Sequence, residues 1–159
     1  MGDMIVIRKE RKMGRRKKII YFLQIVLPLV LGAVFYLWIK PNSWCSNIFY
    51  NIFNLKKPTA FDENCIPFLG SFIKHQLCDI IFAYSLTIAM VFVLRKEKHG
   101  LFLACGIAAM FETIFEVAQL CGFPGNFDPF DILAEVAITL AVLLCMVIYQ
   151  KIKRRKQKT

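Results

Sequence analysis

The 159-residue sequence lacks the short motifs that are typical of zinc sites, and it has no internal repeat. It has only two His residues, and its six Cys include neither a CxxC pair nor a Cys/His spacing typical of zinc. It also has no HExxH motif and no evident internal repeat, which argues against a zincin and against a transporter built from repeated halves. The placement of apolar and charged residues is therefore the main source of information.

Apolar residues make up 57% of the chain and the mean hydropathy is positive, which is unusual for a soluble domain. They are gathered into runs long enough to cross a bilayer as helices. The first run is longer than a signal-peptide core and no small-residue cleavage site follows it, so we interpret it as a retained span. The sequence predicts an all-α membrane protein, a four-helix transmembrane bundle in one domain of residues 19–150. Its spans cover residues 19–39, 72–94, 101–123 and 130–149.

The 21 Lys and Arg residues outnumber the 11 Asp and Glu residues, but they are unevenly placed. Eight lie in residues 8–18, six in residues 151–158 and three in the loop at residues 95–98, which leaves four elsewhere. With four spans, these groups fall on one side, and the positive-inside rule makes that side cytoplasmic. We predict an N-in, C-in topology with a basic arm (residues 1–18) and a basic tail (residues 151–159) near anionic lipid headgroups. This distribution argues against a nucleic-acid partner.

The longest connection, residues 40–71, is predicted on the outer side. Ser43 is placed to cap a short helix that ends near Leu55, with apolar side chains mainly on one side and Asn residues on the other. Such a helix would lie in the membrane interface or cover the outer mouth of the bundle as a lid, and both interpretations stay open. Cys45 and Cys65 in the same connection are candidates for a disulfide.

Acidic and polar residues interrupt three of the spans, where charge costs about 2.5 to 3.5 kcal/mol per residue on insertion scales. Spacings of three and four place them on one face of each helix. The helical rise brings them to similar depth on the outer side, with Glu112 nearest the membrane centre. We predict one outward-facing polar pocket with Glu112 at its floor. The candidate residues are His75, Asp79, Glu112, Glu116, Gln119, Asp128, Asp131 and Glu135.

Carboxylates this close cannot all be ionised without compensation. No Lys or Arg lies inside spans two to four, and Lys74, at the outer end of the second span, is the nearest candidate to neutralise them. A proton, a bound cation or a cationic ligand group would also relieve the repulsion. A divalent metal site is one hypothesis, and acid–base catalysis is another, although no Ser or Cys is seen beside a base. In a third, the polar groups only hold the helices together. The apolar inner halves of spans two and four argue against a simple channel.

The turn between spans three and four is rich in Gly and Pro, which end both helices. Asp128 directly precedes Pro129, so we interpret Asp128 first as the cap of the last helix. Asp131 in the first turn suits the positive end of that helix.

At these residues the chain resembles the VanZ-like family of small bacterial membrane proteins. The resemblance lies in EVAQ at residues 116–119, the Gly/Pro turn, and FDPFDIL at residues 127–133. The Asp-led second helix, DIIFAYSL at residues 79–86, also fits, so that about half the chain is covered. The turn lacks the Arg that is usual in the family, and Glu135 and Ile138 stand where its last helix often has Asn and Gly. We therefore interpret the chain as a divergent member.

The resemblance implies a multi-pass protein of the bacterial cytoplasmic membrane and cell envelope, linked to glycopeptide (teicoplanin) resistance or to envelope maintenance. We expect its pocket to bind an envelope component or cationic group. The expected partners also include the surrounding membrane lipids. A chain of this length could also form an oligomer. The alternatives are an intramembrane enzyme acting on a lipid-linked substrate, with a divalent metal as a candidate cofactor, and a structural membrane subunit.

Overall fold

The computed structural model describes residues 15–59, 62, 69–125 and 127–156. Residues 1–14 of the basic arm lie outside these ranges. All six regular elements in the described part are helices. They are α1 Arg15–Ile39, α2 Trp44–Ile52, α3 Leu69–His75, α4 Leu77–Val93, α5 Gly100–Leu120 and α6 Pro129–Lys156. Helices α1, α5 and α6 are long and apolar enough to cross a membrane, and α3 with α4 makes a fourth span when the bent pair is counted as one. This is the all-α architecture of a multi-pass membrane protein.

Helix α4 lies at the centre of this arrangement, because it packs against α1, α5 and α6, while α5 and α6 also pack against each other. Gly32 permits the close approach of α1, since an added Cβ would lie 2.9 Å from Ile81 Cγ2 on α4. In α5 the small residues Ala104 and Ala108 are completely buried, as expected for close helix packing. The contacts of α4 therefore hold the polar faces of three helices together.

The predicted second span, residues 72–94, corresponds to two helices with a bend between them rather than to one continuous helix. Helices α3 and α4 meet at a bend of 51° that falls at Gln76. The backbone carbonyl of His75 beside the bend accepts a hydrogen bond from Lys40 Nζ at 3.4 Å. Hydropathy reports how apolar a segment is, but it does not report a local change of backbone direction such as this one.

The other spans begin and end close to their predicted limits. The apolar part of α1 covers Ile19–Ile39, as predicted. Helix α5 ends at Leu120, three residues before the predicted limit, because the chain turns at Gly122 with φ of +89°. Helix α6 continues past residue 149 to Lys156, so that most of the predicted tail is helical.

Helix α2 forms within the connection of residues 40–71, where the sequence predicts a short helix. The predicted cap is confirmed, because Ser43 Oγ accepts a hydrogen bond from the Ser46 N–H at 3.3 Å. The helix ends at Ile52 rather than near Leu55, and Asn54 follows with φ of +50°, a left-handed conformation typical of helix ends.

The apolar side of α2 does not cover the bundle. Trp44 and Ile52 are 61% and 71% exposed, whereas Tyr50 is buried and donates a hydrogen bond to the Leu37 carbonyl at 3.0 Å. This contact holds α2 against the end of α1. Cys45 on α2 is exposed, but Cys65 lies outside the described residues, so the disulfide stays a prediction.

Candidate functional site

Acidic residues from three helices converge on one cavity of about 440 Å³. Its polar lining consists of Ser85 and the carboxyl residues Asp79, Glu112, Glu116 and Glu135. Its apolar walls come from α1, α4 and α5. We refer to this space as the acidic cavity, and its apolar lining includes Ile25, Leu29, Phe82, Leu86 and Phe115.

Four acidic side chains at the site are deeply buried and incompletely paired. Glu112 and Glu116 are each 6% exposed, and Asp131 and Glu135 are buried as well. One oxygen on each of these four residues, together with Gln119 Oε1, has no hydrogen-bond partner among the described residues. Leaving a buried acceptor unpaired costs about 1 to 3 kcal/mol, and more for a charged group, so five of them in one region favour a missing donor or cation.

The floor of the acidic cavity is held by a chain of hydroxyl groups. Thr139 Oγ1 donates to Glu112 Oε2 at 3.4 Å, and Thr87 Oγ1 lies 3.0 Å from Thr139 Oγ1. Each hydroxyl has one proton, so when Thr139 donates to Glu112 it accepts from Thr87. The three residues lie on α4, α5 and α6, and all are buried. One oxygen of Glu112 is therefore used in packing and the other is not.

Neither Thr residue was predicted as part of the site, although the sequence contains a signal for both. Thr139 continues the spacing of four that links Asp131 to Glu135, and Thr87 lies eight residues after Asp79 on the same face. Following the same helix faces beyond their charged residues identifies Thr87 and Thr139.

The Gly/Pro turn fixes the Gln119 side chain at one edge of the site. Gln119 Nε2 donates to Glu116 Oε1 at 2.9 Å. Gly125 lies directly over the same amide, because a Cβ added there would be 2.5 Å from Gln119 Oε1. The φ of Gly125 is +146°, which also favours glycine. The turn therefore closes on the site and orients Gln119 toward Glu116.

A cation at the site comes from the end of the first span. Lys40 Nζ lies 4.0 Å from Asp79 Oδ2, and both side chains are partly exposed. Lys74 was predicted as the nearest cation, and Lys40 was not, because it is 39 positions from Asp79 in the sequence. Its position just after the first span already predicts the same side of the membrane as the start of the second span, which carries Asp79. Lys40 lies at the rim beside Asp79, and its charge also acts on the buried Asp131.

The remaining predicted residues differ in their placement. His75 is exposed at the end of α3 and does not line the acidic cavity. Asp128 Oδ1 accepts a hydrogen bond from the Phe130 N–H at 2.9 Å, so its interpretation as the cap of α6 is confirmed. Asp131 is buried nearby, within electrostatic range of Asp79, but it is not part of the cavity lining.

The donor geometry does not favour a metal centre, because no three His, Cys, Asp or Glu side chains in the described part of the chain are grouped to hold an ion. Ser85, the one hydroxyl residue in the described lining, donates to the Ile81 carbonyl at 2.9 Å and is not paired with a carboxylate. The arrangement can accept hydrogen bonds and attract a positive charge. No family model, curated protein or solved structure matches the chain.

Proposed function

We propose that the chain is a divergent VanZ-like protein of the bacterial cytoplasmic membrane whose acidic cavity binds the cationic group of an envelope component. The sequence motifs at residues 79–86, 116–119 and 127–133 support the family. The observation that carries the function is the set of buried oxygens without partners on Glu112, Glu116, Gln119, Asp131 and Glu135. A positively charged hydrogen-bond donor satisfies such oxygens and offsets the repulsion between carboxylates.

The lining of the acidic cavity supports an amphiphilic ligand. Its carboxyl groups lie beside Ile25 and Leu29 of α1 and Phe115 of α5, all apolar. Leu29 and Phe115 also have large exposed fractions, so this wall continues into the surface that faces lipid. A molecule with an ammonium or similar head and a hydrocarbon chain would bury both parts at once.

In this proposal the termini and the loop at residues 95–98 are cytoplasmic, and the cavity is on the outer half of the membrane. The distribution of Lys and Arg supports this orientation. Helix α2 would lie in the outer interface with Trp44 and Ile52 toward lipid, which their exposure supports.

A growth assay tests the proposal. We expect expression of the chain in a teicoplanin-susceptible bacterium to raise the inhibitory teicoplanin concentration at least fourfold, and we expect Glu116→Gln and Asp131→Asn to remove most of that increase. These substitutions keep side-chain size but remove a negative charge. Asp62→Asn makes the same change at an exposed position outside the cavity and serves as the control.

Protein amounts are matched by immunoblot, and folding is checked by the thermal midpoint of each purified variant. An unchanged inhibitory concentration with the wild-type chain would contradict the link to glycopeptides. Full protection by both Glu116→Gln and Asp131→Asn would contradict the role of the carboxylates.

A further inference from the structure

A second cavity, of about 860 Å³, lies at the end of α4 that leads into α5. It is formed by Tyr21 near the start of α1, Val91 near the end of α4, the loop that leads into α5, and the last turns of α6. We refer to it as the basic cavity. Six Lys and Arg residues and only one Glu line it; the basic residues are Arg95, Lys98, Lys151, Lys153, Arg154 and Arg155.

The positive-inside rule explains why these residues are on one side of the membrane, and basic residues at the end of α6 suit its helix dipole. Neither effect requires the six basic residues to line the same cavity. They come from two separate segments, the loop at residues 95–98 and the end of α6, and both contribute to the same cavity wall. This convergence is the observation that needs a ligand.

Arg95 is held in place within this wall. Its guanidinium carbon lies 4.2 Å from the centroid of the Phe92 ring, and its Nη1 donates to the Phe92 carbonyl. The Phe92 ring in turn packs against Tyr21 of α1, with centroids 5.4 Å apart. A guanidinium has five N–H donors, so the other donors are available in a fixed orientation that suits phosphate oxygens.

The lining also has an apolar part, beside polar residues such as His99 and Gln150. Val91, Leu101, Phe102, Met146 and Val147 border the basic residues, and Phe102 is 62% exposed toward the outside of the bundle. A free phosphate compound would use only the basic half of such a site. A phospholipid would use both, with its headgroup phosphate among the cations and its chains along the apolar border.

We propose that the basic cavity binds the phosphate group of an anionic phospholipid from the adjacent leaflet. The site has its own lining: it shares no residue with the acidic cavity, although Val91 of the basic cavity and Ala89 of the acidic cavity are only two positions apart on α4. The proposal stands whether or not the acidic cavity binds a cation.

Electron spin resonance of spin-labelled phosphatidylglycerol and phosphatidylcholine around the reconstituted protein tests this proposal. The wild type is expected to immobilise phosphatidylglycerol preferentially, and Lys98→Gln is expected to reduce the preference by up to about fivefold, the effect of one basic residue at an anionic surface. Lys56→Gln removes the same charge at the other end of the bundle and should leave the preference unchanged. Equal effects of the two substitutions would overturn the proposal.

A second pair of variants separates a built cavity from diffuse attraction. Leu101→Trp fills the basic cavity without changing charge, whereas Leu103→Trp makes the same change at an exposed position of α5 outside the lining. Only Leu101→Trp should abolish the preference, and part of the preference should persist in about 0.5 M salt, which screens exposed charges. Loss of the preference in high salt, or no effect of Leu101→Trp, would contradict a specific site. Displacement of the labelled lipid by millimolar glycerol phosphate would overturn the choice of a lipid.

Discussion

Replacing Glu116 by Gln is expected to weaken the binding of a cationic amphiphile by about tenfold to a hundredfold, because one charge-assisted contact of about 1.5 to 3 kcal/mol is lost. The probe is dodecylammonium, added to the protein in nanodiscs of zwitterionic lipid, and dodecanol is the neutral comparison. The rise in thermal midpoint with ligand concentration gives the affinity. We expect dodecylammonium to stabilise the wild type clearly more than dodecanol does.

The same variant should not be less stable without the probe. The Gln amide supplies an N–H₂ donor, and buried oxygens of Asp131 and Glu135 have no partner among the described residues. A neutral donor in place of a carboxylate therefore relieves repulsion, and the midpoint of unliganded Glu116→Gln should equal or exceed that of the wild type.

If the carboxyl groups serve only helix packing, the pattern reverses. Glu116→Gln would then unfold at a lower temperature and bind dodecylammonium as the wild type does. Asp62→Asn, which removes an exposed negative charge, should change neither the midpoint nor the affinity. These outcomes separate a ligand site from a purely structural cluster.

Replacing Gly100 by Ala is expected to destabilise the fold by about 1 to 3 kcal/mol, the usual range for overpacking. A Cβ at this position would lie 1.8 Å from the backbone carbonyl oxygen of Leu94, so the turn between α4 and α5 would have to move. That turn sets the register between the two helices and hence the depth of Asp79 relative to Glu112.

Gly106 provides the matched control, because it lies in the same helix and a Cβ there would meet nothing within 4 Å. Gly106→Ala should stabilise the protein by up to about 1 kcal/mol, since Ala favours a helix more than Gly does. Reversible unfolding in mixed micelles measures both changes. A similar loss of stability in the two variants would show that the contact with Leu94 is not the cause.

The spans and the convergence of the acids could be predicted because both depend on regular periodicity. Runs of apolar residues are recognisable from composition alone, and they give α1, α5 and α6 within a few residues, apart from the longer end of α6. The spacing of Glu112 from Glu116, and of Asp131 from Glu135, fixes the helix face that carries them. The structure buries all four residues within the bundle.

The features that escaped prediction depend on contacts between distant parts of the chain. Lys40 reaches Asp79 because α1 packs along α4, and sequence spacing carries no information on that contact. The pairing of Thr87 with Thr139 needs the relative rotation of α4 and α6. His75 does not line the cavity, although its spacing of four from Asp79 predicts a shared face, and the chain bends at Gln76 between the two residues.

A structure determined in lipid nanodiscs with dodecylammonium tests the central claim most directly. The account predicts density for the ammonium group within hydrogen-bonding distance of Glu116 and Glu135, with the alkyl chain running between Leu29 and Phe115 toward the lipid. The contrary result would be an acidic cavity closed by direct hydrogen bonds between its carboxyl groups, with the probe bound elsewhere.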